Sequence, residues 1–165
     1  MEPKIICVDE DDNVIGYETR DNVDAKGLRY RVSALWITNS KGDVLLARRA
    51  LTESHHPGRW GPAAAGTVDE GETYAENMVK EAWEELGLKD VVLEKGPKIK
   101  CDGKHKFFTQ WFTCTLDKPL TFFKFQKEEV DQIEWFSPVE LKKEMDENPK
   151  DFLDNMERYL ELFGD

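Results

Sequence analysis

The order of apolar and polar positions predicts a mixed α and β chain. Lys4 to Val8 and Asn13 to Glu18 are β-rich runs on either side of Asp9-Glu10-Asp11-Asp12, and read as a hairpin. Tyr30 to Thr38 (YRVSALWIT) is dense in β-formers, and Ser40-Lys41-Gly42 turns it into a second run from Asp43 to Ala47. Pro57-Gly58 breaks the next loop, and Ala63 to Gly66 is a short strand of small residues. Val91 to Glu94, Lys106 to Thr115 and Gln132 to Phe136 complete the strands. The aromatics Phe107, Phe108, Trp111 and Phe112 in the second of these fit a core strand, with one face lining a pocket. His105, beside Asp102 and Gly103, falls in the hairpin turn before it.

Helical periodicity appears three times. From Thr73 to Leu86 the chain repeats at the 3.6-residue period, with Ala75, Met78, Val79, Ala82 and Leu86 as its apolar stripe. Thr73 with Glu76 forms a capping box, and Gly87 supplies a left-handed stop. Ser137-Pro138-Val139-Glu140 opens another helix, with a capping box and proline at the first position. Phe152, Leu153, Met156, Tyr159, Leu160 and Phe163 mark a last amphipathic helix. A mixed sheet between helices accommodates this order.

The first helix also carries chemistry. Glu81, Glu84 and Glu85 stand at i, i+3 and i+4 and therefore share one face, about 120° from the apolar stripe. Like charges at that spacing cost a helix a few tenths of a kcal/mol per pair. A hard divalent cation with oxygen ligands offsets that cost, so the helix reads as a Mg²⁺ platform, with Mn²⁺ as a substitute. An isolated EAWEEL segment is more simply a solvated acidic face. Here the helix follows Gly66, the loop Thr67-Val68-Asp69-Glu70-Gly71, and Glu72 just before the cap.

Together these residues resemble the signature of the Nudix hydrolase family: Gly, five residues, Glu, seven residues, then Arg-Glu-hydrophobic-any-Glu-Glu-any-Gly-hydrophobic. Gly66, Glu72, Glu81, Ala82, Glu84, Glu85, Gly87 and Leu88 fall in register. Lys80 stands where the family has arginine; it keeps the charge but loses the planar fork. The resemblance covers nearly the whole chain and extends to Val8–Arg20, Gly27–Arg31, Leu46–Arg49, Pro57-Gly58 and Gln126–Val130. These segments look like the branch similar to isopentenyl-diphosphate isomerase. It implies an α+β fold, a Nudix-type α/β/α sandwich with a mixed central sheet, as one domain over 1–165. It also implies a hydrolase of a pyrophosphate linkage in a nucleoside diphosphate derivative or other organic pyrophosphate. By this resemblance Glu81, Glu84 and Glu85 are metal ligands with the Gly66 carbonyl, and Glu84 or Glu85 also positions the water. Glu72 orients Lys80 and the loop. Glu128 and Glu129, before the last strand, are candidates for a further carboxylate, with Glu129 preferred.

Phosphates also need cations. Arg48, Arg49 and Arg59 are candidates, although each is more readily a surface charge than a phosphate clamp, and neighbours on a strand face opposite ways. Trp60 is a candidate base-stacking platform, with core packing as the competing use. His55 and His56 read as a solvent-exposed loop pair.

Two rival functions stand beside hydrolysis. The isomerase requires a cysteine and histidine in the segment before the box, where this chain has Trp60-Gly61-Pro62-Ala63-Ala64-Ala65. Its upstream histidine ligands correspond to Asp24 and Tyr30. Without a placed acid, protonation at carbon has no donor. A catalytically inactive binding module has no need to keep four box glutamates.

Composition narrows the partners. The chain has 165 residues, enough for one domain with a sizeable core. Its net charge of −11 disfavours nucleic-acid polymers and anionic membranes, but not a small polyphosphate carried by Mg²⁺. Three scattered cysteines (Cys7, Cys101, Cys114), no signal-like segment and no long apolar run suggest a reduced cytoplasmic protein. Exposed aromatics in the N-terminal hairpin or last helix suggest a homodimer.

Overall fold

The computed structural model describes residues 2–53 and 55–163. Its centre is strand β3 (Arg29–Thr38), whose alternating side chains feed two separate cores. Leu35 and Ile37 point to one side and pack with Leu45, Ala47, Met78, Ala82, Leu86 and Phe112. Ala34 and Trp36 point to the other side and pack with Val44, Leu46, Trp60, Trp111, Leu141 and Met156. A strand buried on both faces has to be rich in large apolar residues at consecutive positions, as Ala34-Leu35-Trp36-Ile37 is.

The neighbours of β3 define the sheet. Strand β1 (Lys4–Val8) pairs with β2 (Val14–Thr19) and with the start of β3; β4 (Val44–Arg49) follows from the turn at the end of β3. Strand β6 (Ala64–Thr67) lies antiparallel to β3, setting Gly66 opposite Ser33. Strand β8 (Lys106–Thr115) runs parallel to β3 from Tyr30–Phe107 to Thr38–Thr115. Short β5 (Trp60–Pro62) and β9 (Val130–Phe136) both pair with β4, and β7 (Glu94–Asp102) pairs with β8.

Helix α2 (Tyr74–Leu86) covers the Leu35 side of the sheet. Helices α3 (Pro138–Glu147) and α4 (Met156–Phe163) cover the Trp36 side. This is the α/β/α sandwich with a mixed sheet that the sequence predicts. Both ends of α2 match as well. Thr73 and Glu76 form the reciprocal capping box, and Gly87 takes φ 69°, ψ 23°. At Ser137 only half of the expected box is present: the hydroxyl accepts from the Glu140 amide, with no return bond from Glu140.

Several elements differ from expectation. Helix α1 (Arg20–Lys26) was not foreseen, because its one buried side chain, Val23, leaves no apolar stripe to read. The strand expected at Val91–Glu94 lies later, at Glu94–Asp102, where pairing with β8 rather than its own mostly polar side chains holds it. Phe108 to Phe112 is buried on both faces, as in a core strand. Aromatics of the last helix are packed, with Phe163 stacked on Trp36 at 5.0 Å. Tyr17 on β2 is exposed.

Candidate active site

The apolar stripe of α2 is not the one expected. Asn77, Met78, Ala82 and Leu86 are buried, whereas Ala75 and Val79 face solvent. The helix is thus rotated so that its acidic edge turns toward β6. Glu81 and Glu85 are half-buried and Glu84 is exposed.

Two contacts seat this edge. A Glu85 carboxylate oxygen accepts the Ala65 amide at 2.9 Å. Glu81 lies directly over Gly66, where a Cβ would come within 2.6 Å of its carboxylate oxygen. Gly66 thus permits this close approach, and its backbone is not in the left-handed region. Burial together with the Glu84 carboxylate pushes Glu81 up to about 7. Burial and the Glu81 carboxylate push Glu85 well above the usual carboxylate range. Glu129, on the loop entering β9, is also raised, by burial and by Glu53 and Glu84. Glu128 is exposed. These carboxylates are held together against both desolvation and mutual repulsion.

A second group of contacts fixes the loop between β6 and α2. Burial alone would lower Lys80, but its ammonium lies 2.8 Å from Glu72 and 3.1 Å from Asp69, and these partners raise it. Burial likewise opposes ionisation of Glu72, yet Lys80, the Asp69 amide and Asn77 outweigh it and hold the carboxyl below its ordinary value. The Asp69 amide donates to Glu72 at 2.8 Å and the Asn77 amide nitrogen at 3.1 Å. Glu72 thus bonds to protein groups, and Lys80 bridges Glu72 and Asp69 across the loop.

The candidate cations separate by strand face. Arg49 contacts the His55 carbonyl at 2.7 Å and Glu53 at 3.4 Å, and its charge offsets part of the rise at Glu85 and Glu129. Arg48 points the other way, pairing with Asp131 at 2.8 Å and lying over the Trp60 ring. Arg59 pairs with Asp154 at 3.0 Å. Trp60 is buried in the second core, edge-on to Phe136 at 5.2 Å. Of the four, only Arg49 stands with the carboxylates. Arg48 and Trp60 belong to the α3–α4 side, because even-numbered residues of β4 face that core. Two concavities also lie on that side, one along α3 and one lined by Trp60, Phe136 and Phe152.

Two features escaped sequence reasoning. His55 and His105 meet edge to face at 5.3 Å and approach Asp24 at 3.9 and 4.0 Å, so neither imidazole is simply a solvated loop residue. Asn77 is the other; a polar residue at i−4 from Glu81 was the available signal.

Chemically, the carboxylates of α2, Glu81, Glu84 and Glu85, together with Glu129 from the loop entering β9, are hard oxygen donors. Among the described residues, no three His, Cys, Asp or Glu side chains already stand at the spacing of a closed metal cage. The donor set nevertheless fits a hard divalent ion, since Gly66 leaves room for Glu81 and the raised carboxyls gain most from a cation.

Comparison with known proteins places these features in a family. The NUDIX domain model matches residues 27–156. A Yersinia pestis protein described as an uncharacterised Nudix hydrolase is 32% identical over 154 residues, covering 93% of this chain and 83% of the relative. A Pseudomonas aeruginosa protein with the same description is 33% identical over 135 residues, covering 81% and 78%. Among solved structures, DR0079 from Deinococcus radiodurans superposes with a TM-score of 0.83 at 23% identity, covering 97% of this chain and 99% of that one. MutT NUDIX hydrolase from Burkholderia pseudomallei gives 0.64 at 16% identity, covering 82% and 98%. At these identities the structural likenesses concern the fold.

Proposed function

We propose that this chain, which belongs to the Nudix family, is a single-domain hydrolase that cleaves a pyrophosphate linkage in a nucleoside diphosphate derivative or other organic pyrophosphate, using Mg²⁺ or, in its place, Mn²⁺. The observation that carries this reading is the seating of Glu81 against Gly66 and of Glu85 on the Ala65 amide, with Glu129 near enough for its charge to raise both. Carboxylates held at such a cost are characteristic of sites rather than of scaffolds.

Glu81, Glu84, Glu85, Glu129 and the Gly66 carbonyl are the groups that would hold the ion. When bound, it supplies charge neutralisation for the phosphates and acidity for a water. The chain's own residues do the rest. Lys80 and Glu72 fix the loop that presents Gly66. Arg49, already among the carboxylates, is the cation placed to meet a substrate phosphate. Glu84, the least buried of the three, has the freedom to orient a water in line with the scissile phosphorus.

The isomerase reading lacks its acid. Cys7 and Cys114 are buried on β1 and β8, Cys101 lies on β7, and β5 and β6 carry neither thiol nor imidazole. Among the described residues no helix is long and apolar enough to cross a membrane.

The test is a panel of nucleoside di- and triphosphates, dinucleotides, nucleotide sugars and isopentenyl diphosphate with purified protein and Mg²⁺. Metal-dependent release of phosphate or nucleoside monophosphate is expected. Interconversion of isoprenoid diphosphates, or binding without turnover of any member, would overturn the assignment.

A further inference from the structure

Asn77 is a fully buried polar residue in the middle of a helix, and every polar atom of its side chain is engaged. Its carbonyl oxygen accepts the hydroxyl of Ser33, itself fully buried on β3. Its amide nitrogen donates to the Thr67 carbonyl at 3.0 Å and to Glu72 at 3.1 Å. One side chain therefore ties together the central strand, the end of β6 and the glutamate that opens α2.

The location gives these bonds a purpose. Ser33 pairs across the sheet with Gly66, the residue against which Glu81 packs. Asn77 lies one helical turn before Glu81, and at about 100° per residue the two are offset by only some 40°. Glu84 falls about 20° to the other side of Asn77. Glu85 lies about 80° away, on the Glu81 side, so the tether falls within the sector that carries the carboxylates and outside that of Met78, Ala82 and Leu86. Met78, Ala82 and Leu86 hold the helix to the sheet, but the apolar attraction that does so is non-directional. Directional bonds to a strand, a loop carbonyl and Glu72 define both its rotation and its slide. Rotation of α2 by even a fraction of a turn would lift Glu81 away from Gly66.

We infer that Asn77, anchored by Ser33, is a positioning residue that sets the rotation of α2 and thereby the spacing between its metal-binding carboxylates and Gly66. The inference rests on the hydrolase reading above. It assigns Asn77 no contact with metal or substrate. An outer residue of this kind typically changes metal affinity or activity by about 10–100-fold when removed.

The experiment compares wild type, Asn77→Ala, Ser33→Ala and the Ser33→Ala/Asn77→Ala double variant. Mn²⁺ affinity is read by electron paramagnetic resonance titration, thermal stability in EDTA by circular dichroism, and kcat and KM on the best substrate of the panel. Asn77→Ala strands the Ser33 hydroxyl and the Thr67 carbonyl, so it loses stability as well as position. The double variant removes the stranded hydroxyl and recovers part of that stability. The expected result is a Mn²⁺ Kd raised about tenfold or more in Asn77→Ala and still raised in the double variant. kcat should fall in parallel and KM should stay within about twofold. Ser33→Ala, which keeps the bonds to Thr67 and Glu72, should fall between wild type and Asn77→Ala, and carries the test if Asn77→Ala does not fold. A Kd within twofold of wild type in every folded variant would overturn the inference, leaving hydrolysis untouched. So would a Kd that recovers with stability in the double variant, since Asn77 would then be structural only. Wild-type protein that binds no Mn²⁺ and turns over nothing would overturn the hydrolase reading, and this inference with it.

Discussion

Replacing Glu81 by glutamine tests whether the carboxylate is retained against the stability of the fold. Burial and Glu84 raise its carboxyl from the ordinary 4.5 to about 7. At 1.36 kcal/mol per pH unit that gap corresponds to a ceiling of about 3 kcal/mol. Solvent still reaches the half-buried group, so about 1–2 kcal/mol is the expected effect. The sign follows from proton uptake. Below pH 4.5 the group is protonated in both folded and unfolded chains and contributes no difference. Between 4.5 and 7 the folded chain keeps a proton that the unfolded chain has released, so stability falls as pH rises; above 7 the whole penalty is present. Metal-free Glu81→Gln should therefore match wild type near pH 4.5 and exceed it by about 2–6 °C in Tm at pH 8, for a domain of this size. Saturating Mg²⁺ should reverse the order, because ligand at about 100 times its Kd adds about 2.7 kcal/mol to the form that binds it. Thermal unfolding by circular dichroism, in EDTA and in Mg²⁺ across this pH range, reads both effects. A glutamine variant less stable than metal-free wild type at pH 8, or a difference independent of pH, would refute the reasoning and make Glu81 an ordinary structural carboxylate.

Other substitutions separate the site from its surroundings. Gly66→Ala places a methyl group against Glu81 and should lower Mn²⁺ affinity by an order of magnitude or more, as isothermal titration would show. Lys80→Ala leaves Glu72 and Asp69 without their shared cation and should cut kcat about tenfold, with Lys80→Arg restoring or exceeding wild-type turnover. Arg49→Ala should raise KM for pyrophosphate substrates several-fold. Arg48→Ala, on the opposite face, should leave KM unchanged and cost at most about 1 kcal/mol in urea denaturation.

How much was legible beforehand depended on which force fixed each feature. Helix α2 was readable at both ends because Thr73, Glu76 and Gly87 act locally, through bonds within a few residues. Strand β8 was readable because its own residues favour it, and β7 was misplaced because Lys98 to Asp102 is a strand only when β8 lies alongside. The rotation of α2 was misjudged by hydrophobicity alone. Val79 is apolar yet exposed, while Asn77 is polar yet buried, and only the distant Ser33 and Thr67 explain the exchange. The same holds for Arg48 and Arg49. Their opposition follows from strand geometry, but which one meets the glutamates depends on which core each face of β4 joins.

The parallel pairing of β3 with β8 carries a consequence for biogenesis. Tyr30 must wait for Phe107, and Thr38 for Thr115, before the middle of the sheet can close. Contacts so remote along the polypeptide are slow to form. During synthesis the acidic helix therefore emerges from the ribosome well before the platform beneath it is complete. A nascent chain halted after α2 should be protease-sensitive there, and one extended past Thr115 should be protected.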